Sequence, residues 1–265
     1  MIKDKIKAVF WDLDDTLWQG ILAEGENIEI FAERKRIIEQ LNHRGIVNSV
    51  CSKNEYQTAR KKLIEFGCWE MFVFPQIAFQ PKGEMIRRTL KDMNLRAENI
   101  LFIDDNDANL KEVEYYNPGI STLISDAVSE DLLLNPNLQG KPDQNLSRVN
   151  QYKVLEKKTS AKKESISNYE FMHSCHIKLW LIPYNDSYFE RVYELSDRTN
   201  QLNFTKKRMS QDELRDMLSD DQIETMLCRV SDDYGDYGIV GFYSKHNNRL
   251  LHYVFSCRIM NMGIE

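Results

Sequence analysis

Asp12 and Asp14 follow the apolar run Ala8-Val9-Phe10-Trp11 and precede Asp15-Thr16-Leu17. An apolar run that ends in acids places those acids at the end of a buried strand, where open α/β sheets bind ligands. Two carboxylates in that place can divide one reaction between them. One attacks phosphorus to give an aspartyl-phosphate. The other protonates the leaving oxygen and later deprotonates water. The plainer alternative is a turn in which Asp12 caps a helix and Asp14 is solvated, because Asp is common in turns.

Three further segments bear on that choice. Ile46 to Cys51 is a second apolar run, ending in Ser52-Lys53-Asn54. A hydroxyl where a strand gives way to a helix can donate to a phosphate oxygen, or it can simply cap the helix. Lys82, in Gln80-Pro81-Lys82-Gly83, begins a helix, where a cation opposes the macrodipole. An ammonium aimed at a phosphate or a carboxylate explains that placement; an exposed lysine is the alternative. Finally, Ile100-Leu101-Phe102-Ile103 runs into Asp104-Asp105-Asn106-Asp107. With Asp12, these acids offer hard oxygen ligands suited to Mg²⁺. So much negative charge in one crevice calls for a cation.

The elements that must position these groups alternate. Ala8 to Trp11, Ile46 to Cys51, Met71 to Phe74, Ile100 to Ile103 and Ile120 to Ile124 read as buried strands. Phe31 to Asn42, Asn54 to Phe66 (with Tyr56, Leu63 and Phe66 inward and Gly67 as a stop) and Pro81 to Met93 read as helices. Such alternation predicts right-handed crossovers and a parallel sheet covered on both faces. Ser125 to Lys163 is polar and turn-rich, which predicts a surface connection and an exposed helix from about Asn145. Beyond Ile166 the rhythm changes: strands at His176 to Leu181, Glu224 to Val230, Ile239 to Ser244 and Leu250 to Phe255, and a helix at Tyr188 to Asn200, predict a smaller α+β module with an antiparallel sheet. The expected domains are 1–125, a connection at 126–165, and 166–265.

Composition narrows the function classes. A length of 265 residues predicts about two domains. With 42% hydrophobic and 29% charged residues, the chain reads as globular rather than disordered. A net charge of −6 leaves no basic excess to hold a nucleic acid. No apolar run approaches a membrane span, and Met1-Ile2-Lys3-Asp4 leads into a strand rather than a signal peptide. Five widely spaced cysteines without a CxxC favour a reducing compartment. The expectation is a cytoplasmic protein.

In their order after alternate strands, Asp12-Leu13-Asp14-Asp15-Thr16, Ser52, Lys82 and Asp104-Asp105 resemble the four motifs of the haloacid dehalogenase (HAD) superfamily. The resemblance covers about residues 5–125. It implies a Rossmann-like HAD fold with Asp12 as nucleophile and metal ligand, and Asp14 as general acid/base whose carbonyl also binds metal. It further implies Ser52 and Lys82 on the phosphoryl oxygens, Asp104 on Mg²⁺ and Asp105 behind it. The segment from Trp18 to Ile30 has room for a small flap, a hairpin turning at Glu24-Gly25-Glu26-Asn27, and for no large cap. The expected substrate is a small phosphorylated metabolite, with sugar phosphates of polysaccharide assembly as one alternative.

Finer strings are similar to the FkbH-like branch: Asp12 to Trp18, Cys51-Ser52-Lys53-Asn54, Phe102 to Asn106, Arg198 to Thr205, and Ser256-Cys257-Arg258-Ile259-Met260. That similarity implies glyceryl transfer from bisphosphoglycerate to an acyl carrier protein. Cys51 is then a candidate acyl acceptor, its thiol activated by Lys53; a small buried residue is the other reading. The second domain resembles the start of a GNAT-type acyltransferase, in which Arg258 and Gly263 fall where an acyl-CoA loop belongs, with different glycine spacing. At Glu265 the chain stops where that fold's next helix is due. The non-enzymatic alternative is a carrier-protein or CoA-binding module.

Overall fold

A computed structural model describes residues 2–25, 27–164, 172–199, 202–256, 259 and 262–265. The chain divides into two compact units, Met1–Glu156 and Lys157–Glu265.

The first unit is a five-stranded sheet in the order β5-β4-β1-β6-β7, with every neighbouring pair parallel. Its strands are β1 (Ala8–Trp11), β4 (Val47–Ser52), β5 (Gln76–Ile77), β6 (Ile100–Asp104) and β7 (Ser121–Ile124). A separate two-stranded flap is made of β2 (Trp18–Gln19) and β3 (Glu29–Ile30). Four helices follow their strands: α1 (Ala32–His43), α2 (Tyr56–Glu65), α3 (Lys82–Asp92) and α4 (Asp107–Tyr116).

Alternation along the strands makes two cores, one on each face. Val9, Trp11, Val50, Leu101 and Ile103 pack with Ile37, Ile38 and Leu41 of α1 and with Ala59 and Leu63 of α2. Ala8, Phe10, Val47, Cys51 and Phe102 pack with Met85, Ile86 and Leu90 of α3 and with Leu110 and Val113 of α4. This is the α/β, Rossmann-like parallel sheet expected from the continuous apolar runs. Because the chain runs from β1 out through β4 to β5 and then crosses to β6 and β7 on the other side of β1, the carboxyl end of β1 is a topological switch point.

In this unit three local expectations differ from the structure. Met71 to Phe74 is not a strand. Trp69–Met71 is a 3₁₀ turn, Phe72 makes one parallel bridge to Asn48, and the edge strand comes later, at β5. Buried amides hold the chain in that path: Asn42 Nδ2 donates to Met71 O (2.9 Å) and Asn48 Oδ1 accepts from Trp11 Nε1 (2.9 Å). Phe74 then takes a left-handed φ of 51°, which breaks the extended run. Tyr56, expected inward, is 39% exposed and meets Trp69 edge-on. The stretch from 126 is less exposed than its polar texture predicts. Val128, Leu133 and Leu138 join one core, and α5 (Ser147–Glu164) puts Val149 and Tyr152 into the other.

The second unit is an antiparallel sheet in the order β11-β10-β9-β8. Its strands are β8 (Lys178–Pro183), β9 (Ile223–Asp232), β10 (Gly235–His246) and β11 (Arg249–Phe255), and its helices include α6 (Phe189–Arg198) and α7 (Gln211–Leu218). Phe189, Val192, Leu195, Leu214, Leu227, Phe242 and Val254 form its core. Gly241 is required by packing, since a Cβ there would stand 2.3 Å from the Phe255 ring. Strand β8 does not alternate as expected from His176 to Leu181: at this sheet edge Leu179, Trp180 and Leu181 are all about half exposed. In Arg198 to Thr205, Asn200 and Gln201 lie outside the described residues. Asn203 is buried in a turn, donating to Lys207 O (3.1 Å) and bridged to Val254 of β11. No helix of the described residues is long and apolar enough to cross a membrane.

Candidate active site

β1, β4 and β6 deliver their last residues to one place. Asp12 follows β1 and its amide donates to Ile103 O (2.9 Å), which brings it beside Asp104 at the end of β6. From the first turn of α3, Lys82 reaches between them. Its Nζ is 2.7 Å from Asp12 Oδ1 and 2.6 Å from Asp104 Oδ2, with the Lys82 side chain 3% exposed. The cation that opposes the helix dipole is thus neither solvated nor free; two buried carboxylates hold it. Those carboxylates hold the ammonium above its ordinary range against the pull of burial.

Burial raises the Asp12 carboxyl to about 6, with Asp104 pushing the same way and Lys82 opposing. Carboxylate oxygens of Asp12, Asp104 and Asp105 lie within 4.8 Å of one another. Burial and the neighbouring Asp104 raise the Asp105 carboxyl as well. Asp104 is itself braced: its Oδ1 accepts from Asn106 N (2.9 Å) and Asn109 Nδ2 (3.0 Å). Asn109 carries no signal of its own in the sequence, where an asparagine after a strand looks like an ordinary turn or cap residue.

Asp14 faces the flap. Its Oδ1 accepts from Trp18 Nε1 (2.9 Å) and Leu22 N (3.1 Å), and its Oδ2 from Asn54 Nδ2 (2.9 Å). Asp15 turns the chain with φ 48° and takes the Gly20 amide on its side chain (2.8 Å). Arg34 Nη1 donates to Thr16 O, and Arg34 Nη2 to Ser125 O (3.2 Å), tying down the same loop.

Ser52, buried at the end of β4, is not the cap of α2. That role falls to Glu55, whose carboxylate accepts from Gln57 N (3.0 Å) and Thr58 N (2.6 Å). The Ser52 hydroxyl faces Asp12 and lowers its carboxyl, while also accepting from Asn54 Nδ2 (3.2 Å).

Thus Asp12, Asp14, Ser52, Lys82, Asp104 and Asp105 gather at the switch point. Cys51 does not. One residue earlier on β4, it points into the second core, fully buried, its Sγ 3.8 Å from Lys82 O. Burial pushes its thiol far up, opposite to the activation expected from Lys53. Lys53 instead engages Asn109 Oδ1 (3.2 Å) and Glu112 (3.7 Å). Of the two candidate CoA-loop residues, Arg258 lies outside the described residues, and Gly263 has a left-handed φ of 71° with open space around it. Cys51, Cys68 and Cys228 are buried and joined in no disulfide, and Cys175 is buried as well.

No family model matches the chain, and no curated protein matches it. Among solved structures it is similar to the N-terminal part of BF1531 from Bacteroides fragilis, which contains a phosphatase domain and is complexed with Mg. The identity is 23% and the TM-score 0.42, over 52% of this chain and 41% of that one. A cobalt-bound 8-phosphate phosphatase (YrbI) from Haemophilus influenzae is 17% identical with a TM-score of 0.38, over 59% and 92% of the two chains. The 3-deoxy-D-manno-octulosonate 8-phosphate phosphatase from Moraxella catarrhalis, with magnesium, phosphate and KDO, is 14% identical with a TM-score of 0.37, over 62% and 95%. The chain spans less than half the length of the Bacteroides fragilis structure.

Proposed function

We propose that this protein is a Mg²⁺-dependent phosphatase of the HAD type, acting on a small phosphorylated metabolite through an aspartyl-phosphate on Asp12. The observation that carries the reading is the Lys82 ammonium buried between Asp12 and Asp104, with Asp105 beside them. Three carboxylates against one ammonium leave an excess of negative charge in a buried crevice, which a divalent cation would offset. The all-oxygen donor set of Asp12, Asp104 and Asp105 fits Mg²⁺. Asp12, Asp104 and Asp105, with the backbone carbonyl of Asp14, would hold it. Bound there, Mg²⁺ would spread the charge that builds on the phosphoryl oxygens.

The chain's own residues supply the rest. A carboxylate oxygen of Asp12 forms a bond to phosphorus as the bond from phosphorus to the leaving oxygen breaks. Asp14 passes its proton to that oxygen. Asp14 then takes a proton from water, whose oxygen attacks phosphorus and displaces Asp12, releasing inorganic phosphate. Ser52 donates to a phosphoryl oxygen, and Lys82 keeps the nucleophile ionised.

The test is phosphate release across alkyl, sugar and aryl phosphates and bisphosphoglycerate, with and without Mg²⁺ and with and without a carrier protein. Turnover is expected with Mg²⁺ and not after chelation; silence across the panel overturns the reading. Protons and Mg²⁺ compete for Asp12. With that carboxyl near 6, apparent Mg²⁺ affinity is expected to rise as pH rises through about 6 and to weaken below it. A metal titration followed by thermal shift at pH 5 and 7.5 checks the sign.

Glyceryl transfer through Cys51 would need a reactive thiol, and this one is buried in the core with its pKa raised. Cys51→Ser is therefore expected to keep phosphate release within about threefold of the parent. A loss beyond about tenfold with the fold intact would give the thiol a role in turnover.

A further inference from the structure

Asn54 lies two residues beyond Ser52, between β4 and α2, and is 2% exposed. Its amide nitrogen meets two acceptors, Asp14 Oδ2 at 2.9 Å and Ser52 Oγ at 3.2 Å. An amide NH₂ carries two hydrogens, so one group serves both contacts. Once Ser52 Oγ accepts from Asn54, its own hydrogen is free to be given to Asp12 or to a phosphoryl oxygen. Asp14 Oδ1 takes two donors, Trp18 Nε1 and Leu22 N. Both of its lone pairs are then engaged. Oδ2 takes one donor and keeps one lone pair free.

Resting on the phosphatase reading, we infer that Asn54 is a positioning residue for the acid–base step. It orients the Asp14 carboxylate so that Oδ2 is the atom that carries the proton to the leaving oxygen, and it turns the Ser52 hydroxyl toward the phosphoryl group with the same amide. The donors come from three separate places: the flap strand β2, the residue opening the 3₁₀ turn Leu22–Glu24, and the β4–α2 junction. Without Asn54, Oδ2 loses its protein donor and the carboxylate can swing about the contacts on Oδ1. An acid displaced by an ångström or so transfers its proton much more slowly.

The leaving group reports that loss. An alkoxide needs a proton as it departs, whereas 4-nitrophenolate leaves without one. With Mg²⁺ present, kcat/KM is measured on an alkyl phosphate and on 4-nitrophenyl phosphate for the parent, Asn54→Ala, Asp14→Asn and the double variant. Asn54→Ala is expected to lose about tenfold more on the alkyl than on the aryl substrate. In the Asp14→Asn background, removing Asn54 is expected to add little further loss on the alkyl substrate, because the two act as a unit. Trp18→Phe, which removes an Oδ1 donor and keeps an aromatic ring, is expected to show the same bias toward alkyl loss. Equal losses on both substrates, or full additivity of Asn54→Ala with Asp14→Asn, overturn the positioning role and leave the phosphatase reading standing. A parent chain inactive on both substrates overturns the phosphatase reading and this inference with it.

Discussion

Asp12→Asn is expected to reduce phosphate release by at least about 10⁴-fold and to abolish any phosphate bound to the protein after an acid quench. The amide matches the carboxylate in shape but has neither its charge nor its nucleophilic oxygen. Folding should survive, since Lys82 keeps its ion pair with Asp104 at 2.6 Å and the substitution removes one of the charges that burial penalises. Loss of turnover in a folded variant therefore isolates the chemistry. The measurement is rapid quench with phosphate-labelled substrate, followed by a hydroxylamine challenge to identify an acyl phosphate. Normal turnover by the Asn variant would exclude Asp12 as nucleophile.

Lys82→Met reaches further, because this ammonium is buried between two acids with the side chain 3% exposed. Removing one partner of a buried ion pair costs about 3–5 kcal/mol, since the remaining charges stay uncompensated. The effect has a sign in pH. With Lys82 gone, Asp12 loses the cation that opposes burial and faces the Asp104 charge unscreened, so its folded pKa rises further above that of the unfolded chain. A raised carboxylate pKa means the folded state binds more protons, so stability is present at low pH and is lost as pH rises through the folded value. The variant should thus lie close to the parent near pH 4 and fall well below it at pH 8. Mg²⁺ should restore part of the loss by taking over the cation's place. Urea unfolding followed by tryptophan emission at both pH values, with and without Mg²⁺, tests each part. A penalty independent of pH would sink the electrostatic account. Phosphate release by this variant is also expected to fall, because Lys82 keeps Asp12 ionised.

The parallel-sheet unit was legible in the sequence for a physical reason. Strands buried on both faces must be apolar throughout, and Ala8 to Trp11 and Ile100 to Ile103 announce themselves by that alone. Where polar groups fill the core, the signal inverts. Trp11, Asn42 and Asn48 form a buried hydrogen-bonded chain that draws Met71 and Phe72 out of a regular strand, and nothing in the local pattern at 71–74 reports a partner 29 residues away. The same limit hid Val149 and Tyr152, single core residues in a charged helix.

By itself the sequence determined the α/β character of the first unit and the antiparallel module after it, and it placed Asp12, Asp14, Ser52, Lys82, Asp104 and Asp105 at the ends of strands or the start of a helix. In those segments residue type and position at a strand end are enough, because a parallel sheet brings the carboxyl ends of its strands together. Only the tertiary structure decided the orientation of each group. Cys51 and Ser52 are equally close to the strand end in sequence, yet side chains alternate across a sheet, so one enters the core and the other the site. It also decided that Glu55 rather than Ser52 caps α2, and that Asn54 joins Asp14 to Ser52 through one amide. Hydrogen bonds between segments 40 residues apart depend on register and rotamer, and those are set by the packing of the whole sheet.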